Sequence, residues 1–211
     1  MIKIHQLTKT FGDRTVFSDL NLNFDAGKVY ALIGNSGCGK TTLLNMVAKL
    51  EPYDQGSIQY KGKDLGKIKP TNYFRNELGY LFQNFGLIDN KTVSENLDLG
   101  LIGHKLDKQK KRETKEEVLD RVGLSYIQLD QKVYELSGGE AQRVALAKII
   151  LKDPPLILAD ELTAALDPET SQEIMDLLLT LKNKDRLIII ATHNPTIWKQ
   201  ADQVVSLKNS Q

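Results

Sequence analysis

With 211 residues, 41% of them hydrophobic and 26% charged, the chain has the composition of a folded domain large enough to bury a core. A formal net charge of +1 supplies no broad field for nucleic acid or an anionic membrane. The single cysteine, Cys38, excludes an internal disulfide and a cysteine zinc cluster, and no run of about eighteen apolar residues exists to span a bilayer. The N-terminal Met-Ile-Lys-Ile-His-Gln is not a secretory signal, so the expectation is a soluble, cytoplasmic domain.

Residues 2–8 and 15–24 read as strands separated by the turn Phe11-Gly12-Asp13. Asp25-Ala26-Gly27 turns the chain into a short apolar strand, Val29 to Ile33. Gly34 to Thr41, Gly-Asn-Ser-Gly-Cys-Gly-Lys-Thr, then fits G-x-x-x-x-G-K-[ST], and a helical period starts at Lys40 and runs to about Leu50. Strand, glycine loop and helix in that order make a phosphate site. Glycines let successive backbone N–H groups face inward, and the helix N-terminus adds partial positive charge. Gly34, Asn35, Ser36, Gly37, Cys38, Gly39, Lys40, Thr41 and Thr42 are therefore the candidate ATP-binding residues. Lys40 would reach the β- and γ-phosphates and the Thr41 hydroxyl would hold Mg²⁺. A plain glycine-rich turn before a helix is the competing reading, and the flanking strand and helix count against it.

After a turn at Asp54-Gln55-Gly56, residues 57–60 and 63–65 form a hairpin around Lys61-Gly62. Leu78 to Phe82 is a buried strand leading into Gln83-Asn84, and Thr92-Val93-Ser94-Glu95 is a T-x-x-E capping box. Residues 107–122 form a charged helix with Val118, Leu119 and Val122 on its apolar side. Its lysines alternate with glutamates, which describes a solvated face better than a nucleic-acid patch. Ser137 starts another helix that Pro154-Pro155 stops. Leu156 to Ala159 is a strand ending in Asp160-Glu161, and Asp167-Pro168 caps a helix with Ile174, Leu177, Leu178 and Leu181 on one face. Leu187 to Ala191 is the last core strand, with His193 just beyond it.

This alternation predicts an α/β fold: a mostly parallel sheet, an N-terminal antiparallel β layer and an inserted helical sub-domain. The core takes residues 1–84 and 153–211, and the sub-domain, nearly all helix, takes 85–152. Ligands bind at the carboxyl ends of parallel strands, where Gln83, Asp160, Glu161 and His193 all fall. Asp160 is placed to hold Mg²⁺ through a water, and Glu161 to take a proton from an attacking water.

Ser137-Gly138-Gly139-Glu140 is a capping box of the S-x-x-E form. Capping does not ask for two glycines, which cost about 1 kcal/mol each in a helix. Paired glycines at a helix start also leave room for an anion. Here the chain resembles the ATP-binding-cassette family, whose signature reads Leu136-Ser137-Gly138-Gly139-Glu140 in this sequence. The order of motifs supports it: phosphate loop, Gln83, signature, Asp160-Glu161, Ala165-Leu166-Asp167, then His193. The resemblance implies that Phe11 stacks on adenine, that Gln83 touches Mg²⁺ and the γ-phosphate, and that His193 binds the γ-phosphate. It also implies a homodimer closed around two ATP molecules. Ser137, Gly138 and Gly139 of one subunit, with Asp167, would complete the site of the other. Two positions depart from the family's usual proline and serine or glycine, namely Leu162 and Ala164.

Phe82 to Asn96 is similar to the subfamily serving macrolide and peptide exporters, lipoprotein release and cell division. That implies an ATPase held to the inner face of the plasma membrane by a separate integral permease, with no nucleic-acid partner. A soluble cassette ATPase of DNA repair or translation is the alternative. Phe85, Leu87 and Ile88 are apolar in an expected loop and make either a docking groove for a permease helix or a seal on the sub-domain core. Cys38, beside Lys40 and a helix start, is expected to be a reactive, accessible thiol.

Overall fold

A computed structural model describes residues 1–164 and 166–208. In chain order the elements are β1 (Ile2–Phe11), β2 (Arg14–Phe24), β3 (Val29–Ile33), α1 (Lys40–Val47), β4 (Gln55–Tyr60), β5 (Lys63–Asp64), the short α2 (Pro70–Asn72) and β6 (Leu78–Leu81). Then come α3 (Val93–Asp98), α4 (Lys108–Arg121), α5 (Gly138–Lys152), β7 (Leu156–Asp160), α6 (Pro168–Leu179), β8 (Leu187–Ala191), α7 (Pro195–Trp198) and β9 (Gln203–Ser206). The chain divides into two compact units, one of Met1–Leu78, Pro155–Glu161 and Lys182–Gln211, the other of Gly79–Pro154 and Leu162–Leu181.

The first unit holds two sheets. One is antiparallel, in the order β2-β1-β4-β5, and in the other the parallel strands run β7-β8-β3-β9. The fold is thus α/β with an antiparallel layer, as the sequence predicts. Every residue of β7 and β8 is buried, as expected for strands covered on both faces. That burial explains why Leu156–Ala159 and Leu187–Ala191 are unbroken apolar runs. Phe24 meets Tyr30 edge-on at 4.9 Å and ties the antiparallel layer to β3. The first two strands are longer than their composition indicates, because β1 and β2 stay paired to the hairpin tip, where Phe11 faces Arg14. The helix after the phosphate loop stops at Val47, short of Leu50, because Lys49 takes a left-handed backbone with φ 61°.

The second unit is built on a helical core including Val93, Leu97, Leu119, Val122, Val144 and Leu151. Roughly half of residues 85–152 lies in α3, α4 and α5, so the stretch is less helical than expected. Gly123, at φ 74°, stops α4 with a backbone that helix cannot continue. The charged α4 is mostly solvated, with Arg112–Glu116 and Lys110–Glu113 ion pairs along it. One of its lysines is buried instead: the Lys115 ammonium reaches the Ser94 hydroxyl at 2.8 Å and the Asp98 carboxylate at 2.7 Å.

Candidate active site

In the first unit β3 delivers the chain to Gly34. A Cβ there would lie 2.5 Å from Cys38 Sγ and 2.6 Å from the Leu207 carbonyl oxygen, so only glycine fits. Gly39 is the N-cap of α1 at φ 98°, and a Cβ on it would strike the Phe17 ring at 2.5 Å. α1 has no side-chain cap and no acidic residue in its first turn. By contrast α3, α4, α5 and α6 are capped by Thr92, Asp107, Ser137 and Asp167. The first-turn N–H groups of α1 therefore remain available to an anion.

Five side chains converge beside this loop. The buried Lys40 donates to the Gly34 carbonyl at 3.0 Å and lies 3.7 Å from Glu161 Oε1. Thr41 Oγ1 donates to Asp160 Oδ1 at 3.1 Å, and His193 Nδ1 meets Glu161 Oε2 at 2.9 Å. Burial pushes the Asp160 carboxyl above its ordinary range; the Thr41 bond pulls it back, the Glu161 charge adds to the rise, and Lys40 opposes it. Glu161 holds a left-handed backbone at φ 47°, fixed by its N–H bond to the Ala191 carbonyl at 2.9 Å. Such a conformation is costly for a residue with a Cβ, which is common where a side chain must be aimed.

Phe11 ends β1 with 47% of its surface exposed, and Lys9 Nζ lies 4.5 Å from its ring centre. Asn35, Ser36 and Gly37 are exposed in the loop and Thr42 is half-buried on α1. Cys38 is only 2% exposed, which corrects the expectation of an accessible thiol: its sulfur fills the space over Gly34.

Gln83, Ser137, Gly138, Gly139 and Asp167 belong to the second unit. Gln83 is exposed just past β6, in a turn where Phe85 N–H bonds the Phe82 carbonyl at 3.0 Å. The following backbone is gripped by side chains of that unit. Lys148 Nζ donates to the Gly86 carbonyl at 2.6 Å, and the buried Asn96 brackets Ile88 through its N–H at 2.8 Å and its carbonyl at 3.1 Å. Leu87 packs on the helical core, whereas Ile88 is 46% exposed. Ser137 and Glu140 form the reciprocal capping box, with the Tyr126 hydroxyl donating to Glu140 at 3.0 Å. A Cβ on Gly138 would meet nothing closer than 3.8 Å, so packing leaves space there. Asp167 accepts from Thr170 N–H at 2.9 Å, which holds its carboxyl below the usual range. Leu162 is buried, and Ala165 lies outside the described residues. Arg14 and Lys148 were invisible to motif reading, since neither sits in a recognisable pattern.

Residues 17–164 match the ABC transporter family, a span that includes the phosphate loop, the Ser137–Glu140 turn and Asp160-Glu161. The chain belongs to the ABC transporter ATPase family. It is therefore an ABC ATPase domain, of a family that hydrolyses ATP. It is 38% identical over 210 residues to the methionine import ATP-binding protein MetN of Clostridium acetobutylicum, and it spans 98% of itself but 65% of that protein. It is 31% identical to the macrolide export ATP-binding/permease protein MacB of Pasteurella multocida, over all of this chain and 33% of MacB. Among solved structures, the dimeric post-hydrolysis state of the ATP-binding cassette MJ0796, bound to ADP and Pi, matches with TM-score 0.89 at 29% identity, covering 99% of this ABC ATPase and 94% of that chain.

Proposed function

We propose that this ABC ATPase hydrolyses ATP as a dimer to drive a separate membrane permease, in export or cell-envelope work. The observation that carries the chemical half is the position of Glu161, whose carboxylate lies between Lys40 at 3.7 Å and His193 at 2.9 Å. A carboxylate held at a strand end beside a phosphate loop is placed to take a proton from water attacking the γ-phosphoryl group. Lys40 then neutralises charge on the phosphates, and His193 orients the water and the γ-phosphate. Phe11 offers a ring face to adenine.

Thr41 and Asp160 suit Mg²⁺: a hydroxyl and a buried carboxylate, 3.1 Å apart, are the hard oxygen donors that ion takes. The ion supplies charge neutralisation on the phosphates when bound. The dimer is supported by the dimeric MJ0796 cassette, and Ser137, Gly138, Gly139 and Asp167 are the residues it would bring to a partner's nucleotide.

Export is supported by the Phe82–Asn96 stretch and by the likeness to MacB. Import of a small solute is the second reading, favoured by 38% identity to MetN. Among the described residues no helix is long and apolar enough to cross a membrane, so transport needs another chain or segment. Co-purification of tagged protein from membranes tests the proposal. A co-purifying permease supports it and its type separates export from import. Recovery with ribosomes or DNA in place of a permease would reject it.

A further inference from the structure

Arg14 opens β2 directly across the hairpin from Phe11, its register partner. Its guanidinium crosses to the phosphate loop and donates from Nη2 to the Gly37 carbonyl at 2.6 Å. A Cβ on Gly37 would sit 3.1 Å from that same nitrogen, so a side chain at residue 37 would crowd the cation. Arg14 is exposed, and among the described residues no carboxylate pairs with it. One of its five N–H donors is used on a neutral carbonyl, and its charge is left without a counter-charge. The guanidinium fork suits phosphate oxygens, and a charged donor on a charged acceptor makes the stronger class of hydrogen bond.

We propose that Arg14 is a second nucleotide-binding cation beside Lys40, anchored on the Gly37 carbonyl and gripping the phosphate chain of the nucleotide whose base lies on Phe11. The inference rests on the reading of residues 34–42 and Phe11 as the nucleotide site. Ring and cation are carried by one two-residue turn, Gly12-Asp13, so the hairpin fixes the spacing between base recognition and phosphate recognition. An adenine platform and a phosphate loop would then be joined by a charged strut, and a nucleotide would need both ends to fit.

The test is equilibrium binding of ADP and of adenosine to the wild-type protein, R14A, R14Q and, as a reference, K40A. R14A and R14Q are expected to weaken ADP about tenfold and to flatten its salt dependence, while adenosine binding stays within twofold of wild type. Arg14 is exposed, so equal melting temperatures should confirm that both variants fold. ADP affinity unchanged in R14A would overturn the proposal. So would full affinity in R14Q, since a neutral donor would then suffice, or equal losses for ADP and adenosine, since the role would then be to hold Phe11. A wild-type protein that binds no ADP, or K40A binding it normally, would instead overturn the reading of residues 34–42.

Discussion

Glu161 and Lys40 stand 3.7 Å apart across the end of β7 and the start of α1, and the same carboxylate bonds His193. The Lys40 ammonium therefore lies within ion-pair distance of the carboxylate proposed as the general base. On the proposed reading, ATP exchanges that contact for phosphate oxygens, so the Glu161 charge should oppose binding and its basicity should promote hydrolysis. Glu161→Gln is expected to lower turnover by about 10²-fold or more and to tighten ATP binding, trapping the ATP-bound dimer. Steady-state ATPase rates and gel filtration with ATP check both halves. Wild-type turnover in the variant would remove Glu161 from the chemistry.

Phe11 is half exposed, with Lys9 Nζ 4.5 Å from its ring centre. Stacking on a π-face does not distinguish bases by hydrogen bonds, so ATP and GTP should bind within a small factor of each other. Phe11→Ala should cost both about 1–3 kcal/mol. Competition binding measures this, and an unchanged affinity would place the base elsewhere.

Cys38 illustrates a reading that the fold reverses. Proximity to Lys40 argues for a reactive thiol, yet the side chain is only 2% exposed and its sulfur occupies the space over Gly34. A bulky maleimide should label native protein slowly and urea-unfolded protein fast, with MgATP changing the native rate little. Rapid native labelling blocked by MgATP would restore the original expectation.

The alkaline limb of stability should report on Lys148. Burial, with the nearby Lys152 charge adding to it, lowers its ammonium to about 8 while it donates to Gly86. Its folded pKa is thus below the unfolded value near 10.5, so between these the unfolded chain binds more protons and folding gains stability as pH rises. The gain is on the order of 1–3 kcal/mol. Urea midpoints of wild type should climb relative to Lys148→Met between about pH 8 and 10. Parallel curves would place the ammonium in water.

Leu87 and Ile88 should now behave differently, although they are neighbours. Leu87→Glu puts a charge against the helical core and should destabilise the protein by about 2 kcal/mol or more. Ile88→Glu changes an exposed side chain, so folding and basal ATPase should persist while permease binding and transport fail. Full transport in Ile88→Glu would reject the docking groove.

The contrast explains what sequence could tell. Gly34, Gly39 and Lys40 fall within eight consecutive residues, so their pattern is legible in the letters alone. Asp160 and Glu161 follow from strand ends, which apolar runs mark well. Lys148 reaches Gly86 across 62 positions, and Arg14 reaches Gly37 across 23, with no periodicity linking either pair. The tight space at Gly34 depends in part on the Leu207 carbonyl, far along the chain. The left-handed backbone of Glu161 depends on its bond to Ala191, and nothing in the letters Asp-Glu-Leu announces it. Helix was overestimated in 85–152 because apolar residues that seal the core from turns look the same as residues on a helix face.

The uncapped start of α1 has a consequence for the life of the protein in a cell. Where α3, α4, α5 and α6 carry capping side chains, α1 carries none, and on the proposed reading a nucleotide phosphate completes it. The nucleotide then acts as a piece of the protein's architecture, and mass action sets its worth: at a hundredfold excess over Kd, about 2.7 kcal/mol. ATP and ADP would both serve, so ordinary swings between them would leave the domain equally durable. Loss of the total adenine nucleotide pool would then expose it to proteolysis, so the abundance of this domain should answer to the size of that pool.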